Sequence, residues 1–206
     1  MRILISGFEA FGGEDINPTH LLIDEVRAGR VELPSEAVID TILLPVGFEN
    51  AFDLLLARIQ TFSPDVVLAL GQAGGRAAIE LERVAINLID AEAPDNNGVQ
   101  PRDVPVEAGG LSAFFSTLPL RRLLATLGSN GIPCCISNSA GLYVCNFLFY
   151  RLQSHFSSSG AAKVRSGFIH FPYLPEQVRN RPAGAKSMPL ETMNRALAMI
   201  IATISE

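Results

Sequence analysis

Apolar residues along the chain fall into two kinds of segment. Short, nearly continuous runs end in turn residues, and longer stretches recur with helical spacing. "RILISGF" (2–8), "AVIDTILLPV" (37–46), "DVVLALG" (65–71), "IELERVAINLI" (79–89), "PCCISNS" (133–139) and "SGFIHFPY" (166–173) read as strands. The run at 65–71 is apolar at almost every position, as expected of a parallel strand covered on both faces. "NPTHLLIDEVRAG" (17–29) reads as a helix with Asn17 as N-cap, Pro18 at its first position and Gly29 closing it. Further helices are expected over 48–62, where Ser63-Pro64 stops the pattern, and over 119–131, 143–156 and 190–205.

Residues 90–118 break this rhythm. The stretch "DAEAPDNNGVQPRDVPVEAGG" is rich in Pro, Gly, Asn and Asp and predicts a long irregular excursion of the kind that often carries function. A second polar loop, rich in Pro and Arg, is expected at 175–189. Strands alternating with helices imply a layered α/β fold with a largely parallel sheet. Neither a repeat nor a linker interrupts the chain, so one domain over 1–206 is expected. In such folds ligands bind beyond the C-terminal ends of the strands.

Composition narrows the function classes. The chain has 206 residues, 48% of them apolar and 18% charged, with a formal net charge of −5, which is a globular composition. No Lys/Arg block points to nucleic acid or to an anionic membrane surface. No run approaches the length of a membrane span, and "MRILISGFEAFGG" lacks the features of a signal peptide, so a cytoplasmic protein is expected. Three cysteines, two of them adjacent (Cys134 and Cys135) and none in a C-x-x-C, argue against a disulfide framework or a zinc site. The thiols should be reduced, which leaves one available for chemistry.

Cys145 is the candidate. It follows the strand "CISNS", a short turn with Gly141, and the start of a helix. Free N–H groups and the helix dipole at such a site favour thiolate and can hold an oxyanion. A nucleophilic thiol needs a base, and there are three histidines. His155 lies ten residues further along the same helix, roughly 15 Å away, and cannot reach the thiol. His20 sits one turn into the first helix and reads as a surface or packing residue. His170 falls near the C-terminal end of the strand at 166–173, the edge where Cys145 is expected. The third group would be an acid. Glu80 and Glu82 both lie in the strand at 79–89, on the same face, and alternation alone does not separate them. A carboxylate there could also simply pair with an arginine. Two glycine-bearing turns, "GFEAFGG" (7–13) and "GQAGGR" (71–76), follow strands and suit close approach to a ligand; neither carries a P-loop or dinucleotide fingerprint.

Together these segments resemble the pyroglutamyl peptidase I (pyrrolidone-carboxylate peptidase) family along nearly the whole chain. "GFEAFGG" with the following "NP" is similar to its N-terminal signature. "GQAGGRAAIELERVAIN" resembles its glutamate-bearing signature, "SAGLYVCNFLFY" its cysteine-bearing one, and "GFIHFPYLPEQ" the segment that holds its histidine. The resemblance implies Glu82 rather than Glu80 as the catalytic acid, with Cys145 and His170 completing the triad. It also implies a three-layer α/β/α sandwich, no metal or cofactor, peptides with N-terminal pyroglutamate as substrates, and a homodimer or homotetramer. One departure stands out. Family members commonly read "ARIPDN" where this chain reads "AEAPDN", so Glu92 replaces an arginine, and Arg76 is a candidate to compensate.

The flat, neutral lactam of pyroglutamate suits an apolar slot with a polar partner for its amide edge. Phe8, Phe11, Tyr143 and Val144 are candidate walls, equally readable as core, and Gln72 is a candidate hydrogen-bond partner. The rival reading is a nucleoside or phosphate transferase that uses "GQAGGR" and Arg76 to hold an anion.

Overall fold

The computed structural model describes residues 1–158 and 163–206. The elements are β1 (Arg2–Phe8), α1 (Pro18–Arg27), β2 (Val38–Leu44), α2 (Ala51–Phe62), β3 (Val66–Gln72), β4 (Ile79–Glu82), β5 (Val84–Ile86) and β6 (Ala113–Phe115). They continue with α3 (Leu120–Ser129), β7 (Cys134–Ser137), α4 (Val144–Ser158), β8 (Arg165–Phe171), a 3-10 turn (Pro175–Val178) and α5 (Leu190–Ser205). Each helix predicted from the spacing is present. Asn17 caps α1 as expected, its side chain accepting the Thr19 N–H with Pro18 at the first helical position.

Six strands form the main sheet in the order β2-β1-β3-β8-β4-β7. Four of its pairings are parallel; β4 against β8 is antiparallel. Every residue of β3 is buried, which its continuous apolar run anticipates. Alternate side chains feed two cores. One joins Ile3, Ile5 and Leu68 to α1, α3 and α5, through residues such as Ile23, Leu127 and Leu197. The other joins Leu4, Val67 and Phe168 to α2 and α4, through residues such as Leu55 and Phe149. The result is helices, sheet and helices in three layers.

Two differences from the sequence reading matter for the site. The run 79–89 is not one strand. It divides at Arg83, whose N–H donates to the Ser137 carbonyl while its own carbonyl accepts from Ser116 N–H, each at 2.9 Å. The chain is thereby handed from the main sheet to a small second sheet, β5 antiparallel to β6. The strand β6 lies within the stretch expected to be irregular, because Phe114 packs edge-on against the buried Tyr150, with ring centroids 5.1 Å apart. The second difference is direction. β4 and β7 both run opposite to β8, so β7 does not end at the edge where β8 ends. Residues 138–143 carry the chain back, with Gly141 at φ +79° in the turn, before α4 begins.

The excursion after β5 is held by buried polar side chains, which replace the missing ladder bonds. Asp95, only 5% exposed, accepts the N–H groups of Phe48, Asn97 and Val99. Asn146, next to Cys145, accepts from Ile86 N–H and donates to the carbonyls of Ile86 and Leu88. Among the described residues no helix is long and apolar enough to cross a membrane.

Asp95→Ala leaves these buried N–H groups unpaired and should lower stability by about 1–3 kcal/mol in urea unfolding. A loss below the error of the measurement would show that the carboxylate does not organise the loop.

Candidate active site

The site is built on strand ends and one helix start. Gly71 of β3 and His170 of β8 are register partners, and Glu80 of β4 stands opposite His170 across the antiparallel pairing. Directly opposed residues share a face, and so do residues two apart on one strand. Glu80, Glu82 and His170 therefore all point towards α4. Their fates differ. Glu80 forms an ion pair with Arg76, while Glu82 reaches diagonally to His170. His170 Nδ1–H donates to Glu82 Oε1 at 2.7 Å, with Glu82 wholly buried and His170 only 3% exposed. The same oxygen lies 3.7 Å from the Arg76 guanidinium. Phe168 packs beside the imidazole, with centroids 4.8 Å apart, and fixes the ring plane. Nδ1 is committed to the carboxylate, so Nε2 is the ring nitrogen left for chemistry.

Cys145 is the second residue of α4. The first hydrogen bond of the helix runs from Phe147 N–H to the Tyr143 carbonyl, so the N–H groups of Val144, Cys145 and Asn146 have no partner inside the helix. The thiol lies over β3. A Cβ placed on Gly71 would come within 3.1 Å of Cys145 Sγ and 2.6 Å of the Phe168 ring. Only glycine lets the thiol settle against the strand that pairs with His170. Burial pushes the Cys145 thiol up to about 12; the Glu82 carboxylate adds to the rise, and Arg76 and the local backbone N–H oppose it. These surroundings favour the neutral thiol over the thiolate that the helix start alone suggests.

The wall candidates meet in one place. Phe8, Phe11, Gln72, Tyr143 and Val144 line one small, tight cavity together with Cys145. Asn17 and Val46 complete the lining, and sequence reasoning missed both in this role. Asn17 announced itself only as a helix cap. Phe8 and Val144 are also members of the core, so their pocket and core readings are not exclusive. Phe11 and Tyr143 stack at 6.1 Å, and Tyr143 Oη donates to the Pro94 carbonyl at 2.9 Å, tying the cavity wall to the excursion. Beyond these two rings a wider groove continues past Asp90, Glu92 and Arg102. Arg102 donates to the Glu92 carbonyl and pairs with Asp90, so the cation of this groove is Arg102. Arg76 is occupied with Glu80 and Glu82 instead.

The remaining candidates lie elsewhere. His20 pairs with Asp24 on the surface of α1, and His155 packs on Phe52. Cys134 and Cys135 sit on β7, the edge strand. Among the described residues no cluster of His, Cys, Asp and Glu could hold a metal ion.

A thiol at a helix start, over the strand next to a buried imidazole–carboxylate pair, on a layered α/β sheet, is the equipment of a thiol-dependent hydrolase. The family model for pyroglutamyl peptidase matches residues 1–206. The pyrrolidone-carboxylate peptidase of Brevibacillus brevis is 46% identical over 201 residues, covering 98% of this chain and 91% of its own. That of Pyrococcus furiosus is 39% identical over 208 residues, covering 98% of each. The crystal structure of pyroglutamyl peptidase I from Bacillus amyloliquefaciens superposes with a TM-score of 0.92 at 37% identity, covering 99% of this chain and 96% of that one. The chain belongs to the pyroglutamyl peptidase family, and it is a cysteine peptidase of the pyroglutamyl-peptidase I type.

Two outcomes follow from this geometry. Gly71→Ala should overpack the Phe168–Cys145 contact, costing about 1–3 kcal/mol of stability and most of the activity; a variant as stable and active as wild type contradicts the close approach. Without substrate, iodoacetamide labelling of Cys145 should rise continuously from pH 6 to pH 10, because a thiol pushed up to about 12 is only fractionally ionised throughout that range. A plateau below pH 8, followed on the Cys145 peptide by mass spectrometry, would mean a resting thiolate.

Proposed function

We propose that Cys145, His170 and Glu82 form the catalytic triad of a peptidase that removes N-terminal pyroglutamate. The observation that carries this is the buried 2.7 Å hydrogen bond from His170 to Glu82, next to the strand under the thiol. The bond sets the tautomer in which Nε2 is free to accept a proton. As the thiol attacks the pyroglutamyl carbonyl carbon, an S–C bond forms and the S–H proton passes to His170 Nε2. The high thiol pKa favours this concerted transfer over a standing ion pair. Glu82 stabilises the imidazolium, with Arg76 balancing the carboxylate when the histidine is neutral. The N–H groups at the start of α4 receive the oxyanion, each with an expected share of about 3–4 kcal/mol. His170 then protonates the leaving amine as the C–N bond breaks. Water, giving one proton to His170, cleaves the thioester and releases pyroglutamate. That proton returns to the thiol.

Substrate choice follows from the cavity. Phe8, Phe11, Tyr143 and Val144 supply apolar walls for the ring, and Gln72 supplies a hydrogen bond to the lactam edge. The peptide after pyroglutamate would leave along the groove past Glu92 and Arg102.

Release of a fluorogenic amine from a pyroglutamyl arylamide tests the assignment. Cys145→Ser and His170→Ala should each lose at least about 10³-fold in kcat/KM. Cys134→Ser should stay within about twofold, the range typical of substitutions away from a site. Full activity in Cys145→Ser would overturn the mechanism.

A further inference from the structure

Apart from Cys145, the polar side chains that line the cavity are nearly all committed. Asn17 Nδ2 donates to the Glu9 carbonyl, and its Oδ1 accepts from both the N–H and the hydroxyl of Thr19. Tyr143 Oη is used by Pro94. Gln72, only 7% exposed, is different, because one end of its amide is taken and the other is not. The taken end is Oε1, which accepts from Gln177 Nε2 at 2.8 Å. Among the described residues nothing accepts a hydrogen bond from Gln72 Nε2.

Which end of Gln72 faces the cavity is decided by Gln177, a residue that does not line it. Gln177 lies in the 3-10 turn after β8 and is itself 9% exposed. Its Oε1 accepts the Leu174 N–H at 2.9 Å, and its Nε2 donates to the Ile16 carbonyl at 3.2 Å. Glu14 Oε2 lies a further 3.4 Å from the same nitrogen. A backbone N–H can only donate and a backbone carbonyl can only accept, so Gln177 cannot turn over. Its NH2 therefore always faces Gln72, and Gln72 must answer with its oxygen. The Gln72 NH2 is left as a donor towards the cavity.

We propose that Gln177 is the positioning residue that locks Gln72 as a hydrogen-bond donor, so that the cavity selects a ring carrying a carbonyl. This rests on the pyroglutamyl reading given above and deepens it. A lactam oxygen satisfies the locked donor. A proline ring, which has a methylene there, leaves a nearly buried N–H unpaired and is rejected. The specificity is set by a backbone-anchored relay from Leu174 and Ile16 through Gln177 to Gln72, and the relay leaves the reacting atoms alone.

The test uses the full chain with a pyroglutamyl arylamide and the matching prolyl arylamide. Gln177→Met keeps the volume and removes the lock. KM for the pyroglutamyl substrate should rise about 10- to 100-fold with kcat nearly unchanged, and the prolyl rate should not fall, so the preference between the two shrinks. Gln177→Glu still accepts from Leu174 but offers Gln72 an acceptor, which turns the Gln72 oxygen towards the cavity; its loss should exceed that of Gln177→Met. In a Gln72→Met background, Gln177→Met should have no further effect on KM. An unchanged preference, an equal loss on both substrates, or additive effects with Gln72→Met would each overturn the proposal. If the wild type fails to cleave the pyroglutamyl arylamide at all, the failure lies in the assigned activity and the relay falls with it.

Discussion

The site depends on one buried hydrogen bond, that between His170 and Glu82. A carboxylate with no exposed surface is costly unless something compensates it. Here the compensation is the His170 N–H at 2.7 Å and a guanidinium at 3.7 Å. The sheet is arranged to make that contact. Because β4 runs against β8, Glu80 and not Glu82 is the residue directly across from His170, and Glu82 reaches the imidazole along the diagonal. Glu80, nearer the strand's entry, is free to hold Arg76, which in turn stays close to Glu82. Both acids of the strand serve one imidazole, one directly and the other through the arginine.

A second constraint is the approach of the thiol. Cys145 is brought down onto the sheet by a helix whose apolar side, including Leu148, Phe149 and Leu152, is fully buried. Gly71 is what makes room. That close seating raises the pKa of the thiol, so the packing that sets Cys145 on the sheet also favours its protonated form. The N–H groups at the start of α4 are too weak a counterweight to a buried thiol beside a carboxylate. In the mechanism proposed above, their role is to receive the negative charge that develops on the carbonyl oxygen, balanced by the imidazolium.

Much of this was legible in the residues. The fully apolar run of β3, the capped start of α1 and the five long helices follow directly from period and punctuation. That Cys145 and His170, out of three cysteines and three histidines, come to one place was also foreshadowed by where each sits in its element. The supporting argument, that both stand at the ends of parallel strands, was incomplete, since β7 and β4 are reversed. Strand direction is decided by the route of the connections, here through β5, β6 and α3, and no local pattern encodes it. Glu80 and Glu82 could not be separated locally because residues two apart share a face. What distinguishes them is a partner 88 positions away. Nor could Gln177 be found, since its meaning lies in three contacts made to Leu174, Ile16 and Gln72 from one short turn.

The same long-range logic explains how an irregular segment can form a precise wall. The excursion after β5 has few ladder bonds, yet Tyr143, two residues before Cys145, hydrogen-bonds to it at Pro94. Beside Pro94, Asp95 gathers three N–H groups, and beside Cys145, Asn146 clasps the backbone of Ile86 and Leu88. Tyr143 and Asn146, which bracket Val144 and Cys145, are thus both bonded to the chain after β4, one near each end of 86–94. Any shift of the segment must move Tyr143 or break the Asn146 clasp, so the position of the cavity wall and that of the helix start are coupled. Glu92 lies in this same segment, where Arg102 donates to its backbone carbonyl and pairs with Asp90, while Arg76 is held by Glu80 and Glu82.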